Sequence, residues 1–360
     1  MYDYQDLRGQ NAFRIFHLLP GQADEEIQGQ LVHDTLTSAH EYFAVSYLWG
    51  DAQSSRNIVI DKTAVSVRES LYQLFLHLRE SQASLALWID AICINQDNYQ
   101  EKSTQIPLMG RIYSSAKSVL VWLGLSSDDS DTFFKSQYAN GGIRITHSDA
   151  AVGHDKMPLV VTNSHAINAL YSREYWTRTW IVQEIVLASK IDIYCGDYSC
   201  SWESFTAHVS QGGNEYDRAA PDHLLRNIMS LRIIGTNLSL RRLLFRFHQS
   251  RCSNPRDLVF SLLNIASDTR NQDHGIIVNY AHSVEAVFVH TLAFCSGLTS
   301  VTVQGGASGR AIGCLRFCDT LATRMGACLS KSYYYAQYAP MVQSDHVLLA
   351  RLSLCCTWCA

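Results

Sequence analysis

"LWIDAICINQDNYQEKSTQIPLMGRIYSSAKSVLVWLG", residues 87–124, decides how the chain is read. An apolar run stops at Asp90, and Cys93, Asn95 and Gln96 follow closely. Ile106, Met109, Tyr113 and Ala116 then fall on one helical face between Asn98 and Ala116. "SVLVWLG" (118–124) returns to β-branched and aromatic residues before Gly124. The stretch predicts strand, polar turn, helix and strand. Ligands of a parallel sheet bind at the carboxyl ends of its strands, where the loops gather. The polar groups behind the first strand, and Asp51 behind the one before it, stand where a site belongs.

The flanking segments extend the pattern. "EYFAVSYLWGD" (41–51) reads as a buried strand stopped by Gly50-Asp51. "NIVIDKTAVSV" (57–67) alternates on both sides of Asp61-Lys62, a hairpin pattern. "RESLYQLFLHLRES" (68–81) carries Leu71, Leu74, Phe75 and Leu78 at helical spacing, and "LALWIDA" (85–91) is the next strand. Residues 126–160, with "SSDDSD" and "NGG", read as a long loop or insertion. Residues 163–189 read as helical with a break near Tyr171, and "KIDIYCGDYSCSW" (190–202) as a hairpin turning at Gly196-Asp197. From about 220 to 294 the pattern is helical. Strands alternating with helices predict an α/β fold, with a mostly parallel sheet covered on both faces.

Composition narrows the class. With 29 Lys+Arg against 33 Asp+Glu, no basic surplus points to a nucleic-acid partner. No apolar run reaches the ~18 residues of a membrane span. The start, "MYDYQDLRGQNAFRIFHLLPG", lacks the apolar core of a secretory signal, so the chain is expected in the cytoplasm. Seven of the eleven cysteines lie after Phe294, at 295, 314, 318, 328, 355, 356 and 359. That clustering is not a disulfide framework, and free thiols are expected. Residues 295–360 are glycine- and cysteine-rich with weak periodicity, and are expected to be poorly ordered.

Four ordered blocks resemble the fungal heterokaryon-incompatibility (HET) domain and the segment that follows it. They are "YFAVSYLWGD" (42–51), residues 87–124 quoted above, "YWTRTWIVQEI" (175–185), and "RCSNPRDLVFSLL" (251–263) with "VNYAHSVEAVF" (278–288). The resemblance covers roughly 13–292. Pro107 departs from it, sitting where the family usually has an ordinary helix former, and is expected to kink or restart the helix. The implied layout is a lead-in (1–40), a HET domain (41–210), a helical accessory region (211–294) and the tail. HET domains are implicated in cell death after non-self fusion between fungal strains. They are in turn similar to TIR domains, a flavodoxin-like signalling fold. On that second resemblance Glu184 falls where catalytic TIR domains carry the glutamate that cleaves NAD.

Cleaving NAD at the nicotinamide ribose needs stabilisation of oxocarbenium-like charge, which one carboxylate supplies; the cationic leaving group needs no acid. Glu184 is the candidate catalytic anion. Trp180, one turn earlier, and Trp49 are candidates to flank a flat ring. Asp90, Asp51, Asn95 and Gln96 are candidate substrate contacts. A structural alternative stands beside each of these. Glu184 at the edge of a buried stripe pairs with Arg178 or Arg173; Asp90, Asn95 and Gln96 serve their turn; Glu101 and Gln105 support a helix start.

Cys93 is read as a small buried residue rather than a nucleophile, since no histidine is near in sequence. Cys195 and Cys200 with His208 give only a partial zinc pattern, and no metal is expected. Neither GxxxxGK[ST] nor a strand-linked GxGxxG is present, so NAD, where bound, is a substrate and no cofactor is called for. The leading expectation is an effector of fungal non-self recognition that self-associates or is recruited by an upstream recognition protein. A non-catalytic assembly module, or an accessory enzyme of fungal specialised metabolism, are the alternatives.

Overall fold

The computed structural model describes residues 2–37, 40–127, 130–138, 143–145, 164–207, 223–269, 276–295, 321 and 324–325. The tail expectation concerns residues that lie almost wholly outside this set. Two compact units are present, Met1–Ile233 and Ile234–Ala360.

The first unit is built on a ten-stranded sheet. Its strands are β1 (Ala12–Leu18), β2 (Gln28–Thr35), β3 (Phe43–Tyr47), β4 (Ser55–Ile60), β5 (Thr63–Arg68), β6 (Leu85–Trp88), β7 (Ser118–Trp122), β8 (Ile143–Ile145), β9 (Ile191–Cys195) and β10 (Tyr198–Ser201). They lie in the order β5-β4-β2-β1-β6-β3-β7-β9-β10-β8. The central four, β6-β3-β7-β9, run parallel, and β1 and β10 close them antiparallel on either side. The core is thus α/β with a mostly parallel centre, as the alternating pattern predicts.

The order of those four strands is set by two crossovers. The chain leaves β3 through the β4–β5 hairpin and α1 (Glu69–Leu78) to β6 on one side. It returns through α2 (Asp90–Cys93) and α3 (Tyr99–Ser115) to β7 on the other side. Tyr47 is registered opposite Trp122, whose ring meets His77 of α1 at 5.0 Å. Ala44 is registered opposite Trp88, whose ring meets Tyr113 of α3 edge-on at 5.3 Å. Alternate residues of β3 therefore face different helices, and the strand order turns at β3. Such a switch point opens a crevice at the carboxyl ends of the strands.

Local chemistry explains the elements. The β4–β5 hairpin turns on Asp61 and Lys62, both left-handed (φ 48° and 68°), the conformation a two-residue type I′ turn requires. Helix α1 buries Leu71, Leu74, Phe75 and Leu78. Helix α3 starts at Asn98, whose side chain accepts the backbone N–H groups of Gln100 and Glu101. It continues through Pro107 as one helix, so the proline neither stops nor restarts it.

Two segments differ from their sequence reading. Residues 126–160 contain a helix, α4 (Ser130–Tyr138), and the edge strand β8. Phe133 and Phe134 of α4 are buried; the polar "SSDDSD" context hides this pair. The first forty residues carry β1 and β2, paired along seven residues. Strand β1 is buried almost throughout, and at its middle is Arg14, 1% exposed. A buried guanidinium needs a counter-charge and filled donors. Glu101 supplies the charge with a two-pronged contact at 2.6 and 2.9 Å, and the carbonyls of Cys93 (3.1 Å) and Gln5 (2.7 Å) take further donors. Glu101 also accepts the Asn95 N–H at 2.7 Å. Its work is therefore to fasten the turn after β6 onto β1 rather than to cap α3.

The remaining elements of this unit are α5 (Ser164–Tyr171), a 3₁₀ turn (Glu174–Thr177), α6 (Ile181–Val186), α7 (Trp202–Thr206) and α8 (His223–Ile234), whose last residue falls in the second unit. The break near Tyr171 is the gap between α5 and the 3₁₀ turn. The second unit contains α9 (Leu240–Arg246), α10 (Asp257–Phe260) and α11 (Val284–Cys295). Within it Tyr280 donates to Asp257 at 2.6 Å and packs edge-on against Phe260. Among the described residues no helix is long and apolar enough to cross a membrane.

Replacing Arg14 by Met leaves Glu101 buried without its counter-charge. Urea unfolding of Arg14→Met is expected to show a loss of about 3–5 kcal/mol. A loss under about 1 kcal/mol, the range of an exposed pair, would contradict this role.

Candidate functional site

Ser46 is the hydroxyl within the apolar strand β3, and it shares a face with Ala44, toward α3 and α6. Helix α6 buries Ile181, Val182 and Ile185, which brings Glu184 down to the same face. There Ser46 Oγ donates a hydrogen bond to Glu184 Oε2. The Tyr175 hydroxyl, from the 3₁₀ turn, lies 2.6 Å from Ser46 Oγ. Ser46 has one proton, so while it donates to the carboxylate, Tyr175 donates to Ser46. Arg178, between the turn and α6, places Nη1 3.5 Å from Glu184 Oε2.

Asp90 approaches from the end of β6. Its carboxylate accepts the Trp49 indole N–H at 3.1 and 3.2 Å and the Ala91 N–H at 2.8 Å. Gln96 donates to the Asp90 backbone carbonyl at 2.7 Å, which fixes the turn. Trp49 is held from its other side by Arg68, whose guanidinium lies 5.1 Å from the ring centroid and donates to Gly50 O at 2.7 Å. Gly50 has φ +76°, which lets the chain turn directly after Trp49.

Burial pushes the Glu184 carboxyl up to about 7; the Arg178 charge and the Ser46 hydrogen bond oppose this, and the Asp90 charge adds to it. Asp90 is raised by burial too, against Arg178, the Ala91 N–H and Trp49. Arg178 is raised: burial works against its charge, but Glu184 and Asp90 outweigh that. Tyr47, Tyr113 and Tyr175 are all raised, first by burial. The cluster is thus Glu184 paired with Arg178 at the switch point, with Asp90 near enough for its charge to act on both. One carboxyl is poised to change charge near neutrality, the condition for proton transfer or charge stabilisation.

The expected site residues distribute unevenly. Glu184, Asp90 and Trp49 belong to this cluster. Trp180 immediately precedes α6, and its carbonyl accepts the Glu184 N–H at 3.3 Å. Asp51 is exposed and accepts the Gln53 N–H at 3.0 Å, a turn contact. Asn95 accepts the Asp97 N–H at 3.2 Å and lines a cleft of about 490 Å³ with Tyr2, Tyr4 and Tyr99. Of the two arginines considered as partners of Glu184, Arg178 is paired with it, whereas Arg173 donates to Leu123 O at 2.6 Å. Sequence reasoning missed Ser46 and Tyr175. A hydroxyl inside a strand apolar on both faces was the available signal, since a buried hydroxyl needs a partner.

Cys93 is buried and its thiol is pushed up to about 12 by burial, so it is no nucleophile at neutral pH. Its Sγ rests against the Ile89 N–H at 3.4 Å. Cys195 and Cys200 are buried free thiols; His208 lies outside the described residues. Among the described residues no three His, Cys, Asp or Glu side chains are grouped to hold a metal ion.

Residues 42–184, which run from just before β3 to Glu184, match a family model described as "Heterokaryon incompatibility protein (HET)". The chain is 30% identical over 194 residues to "Heterokaryon incompatibility protein 6, OR allele" of Neurospora crassa. That match takes in 43% of this chain and 28% of the relative, so the chain spans less than a third of that protein's length. No solved structure matches.

The raised Glu184 carboxyl has a consequence for stability. Its folded value lies above the ordinary carboxylate range, so the folded state holds this proton more tightly than the unfolded chain does. The contribution is fully present below about pH 4.5 and is lost as pH rises through about 7. Glu184→Gln removes this loss. The expected result, from urea unfolding between pH 4.5 and 7.5, is a flatter stability profile in the variant than in the parent. Parallel profiles would show that Glu184 does not titrate there.

Proposed function

We propose a role for the chain from the match of residues 42–184 to the heterokaryon-incompatibility family model and from its similarity to a heterokaryon-incompatibility protein. The role is that of an effector in fungal non-self recognition, which triggers programmed cell death after incompatible fusion. Its chemistry in this reading is TIR-like cleavage of NAD, with Glu184 as the reacting carboxylate. The observation that carries it is the Glu184–Asp90–Arg178 cluster at the switch point of the sheet.

The residues divide the work as follows. The bond from ribose C1′ to the nicotinamide nitrogen breaks, and its electron pair leaves with neutral nicotinamide. Ionised Glu184 faces the oxocarbenium-like charge that develops at C1′. A water oxygen forms the new bond to C1′, and its proton passes through Glu184 to solvent. Asp90 accepts a ribose hydroxyl, and Trp49 flanks the ring that leaves.

Glu184 is 1% exposed, so ribose reaches it only after the cover opens. Arg178, in contact with Glu184, and Trp49, in contact with Asp90, are partly exposed side chains of the cluster. Opening is coupled to self-association or to an upstream partner, which keeps a toxic activity silent in the resting chain. The same burial favours a second reading, in which the cluster only braces the fold and the domain is a non-catalytic assembly module.

Nicotinamide release by the full chain, at low and high protein concentration, separates the two. The first reading predicts turnover that grows faster than linearly with concentration and falls about 100-fold or more in Glu184→Ala. Absence of turnover from a chain that light scattering shows to be assembled would leave the second.

A further inference from the structure

The first unit holds two buried arginine–glutamate pairs, and they are built differently. Arg14 is 1% exposed and gives Glu101 two aligned contacts, with two backbone carbonyls filling further donors. Of its nitrogens, Nε is left without a partner. This is how a guanidinium is buried when its task is to hold a fold together. Arg178 has a side chain 14% exposed and meets Glu184 through one nitrogen at 3.5 Å. That Nη1 is buried and makes no hydrogen bond. A buried terminal N–H left unpaired beside a carboxylate is costly, and a purely structural pair would recover that cost by a small rotation.

The reason not to close that contact lies with Asp90. Arg178 acts electrostatically on Asp90 as well as on Glu184, in both cases favouring the carboxylate. Neighbouring carboxylates with no cation near them disfavour each other's charge. A guanidinium forked onto Glu184 would leave Asp90 less well served; one held loosely serves both. Tyr47 points to the other face of β3 and is coupled to Glu184 only through charge, whereas the groups on the Glu184 side are Ser46 from β3, Asp90 from α2, Tyr113 from α3, Tyr175 from the 3₁₀ turn and Arg178 itself. Among these only Arg178 carries positive charge.

We infer that Arg178 is a positioning residue: it is the counter-charge that favours the ionised form of Glu184 and of its neighbour Asp90, and it holds Glu184 directed at Ser46. The inference rests on the reading of Glu184 as the reacting carboxylate, but its first readout does not need turnover. The charge, rather than the fork geometry, is what the site uses, so lysine replaces it and glutamine does not.

The test follows the Glu184 side-chain carboxyl by carbon NMR in glutamate-labelled full chain, with the signal assigned from Glu184→Gln. In Arg178→Gln the titration midpoint is expected to rise by about one unit or more. In Arg178→Lys it is expected to stay within about half a unit of the parent. The acid limb of nicotinamide release moves with the midpoint in each variant. A glutamine variant that titrates like the parent overturns the inference. Should that variant fail to fold, a folded lysine variant whose midpoint rises by a full unit overturns it as well. Midpoints that move as expected in a chain that never releases nicotinamide uphold the role of Arg178 while removing the proposed reaction.

Discussion

The hydrogen bond from Ser46 to Glu184 joins the middle of the sheet to the helix that packs on it, and the charge it stabilises governs the rest of the site. A carboxyl 1% exposed is costly to ionise unless donors and a cation surround it. Tyr175 donates to Ser46, Ser46 donates to Glu184, and Arg178 stands 3.5 Å away. Each of these comes from a different element, β3, the 3₁₀ turn or the segment leading to α6. The placement of all three depends on the packing of Ile181, Val182 and Ile185, which sets α6 against the sheet. Near neutrality the charge is balanced between its two states, so small movements of Arg178 or Asp90 decide it.

The topology accounts for why this balance occurs at β3. One crossover leaves β3 and the other leaves β6, and their helices pack on opposite faces, so the loops after β3 and β6 diverge. At those strand ends Asp90 accepts the Trp49 indole N–H, and Arg178 meets Glu184. At the far edge of the same parallel core, the Arg14–Glu101 pair fastens the loop after β6 to β1. One ion pair is two-pronged and holds the scaffold, and the other is a single looser contact at the site.

Much of this was legible in the sequence because it follows from periodicity. Strands β3, β6 and β7, helices α1 and α3, and the two hairpins each repeat apolar residues at the spacing of the element they form. The lead-in strands β1 and β2 were not legible. Arg14 interrupts the apolar run of β1, and its compensation lies 87 residues away at Glu101. Helix α4 was hidden because acidic and serine residues precede its buried Phe133-Phe134 pair. Within the site, the family resemblance led to Glu184, and strand-end position led to Asp90 and Trp49. Ser46 and Tyr175 escaped because their partnership joins residues 129 positions apart, which no local pattern records.

The most direct measurement of the central claim, that Glu184 is the reacting carboxylate of a cluster that opens, is a crystal structure of the Glu184→Gln chain with NAD bound. The account predicts the ribose C1′ about 3.5 Å from the side chain at 184, with Arg178 and Trp49 displaced to admit it. NAD seated elsewhere, with residue 184 still sealed between Ser46 and Arg178, would contradict it.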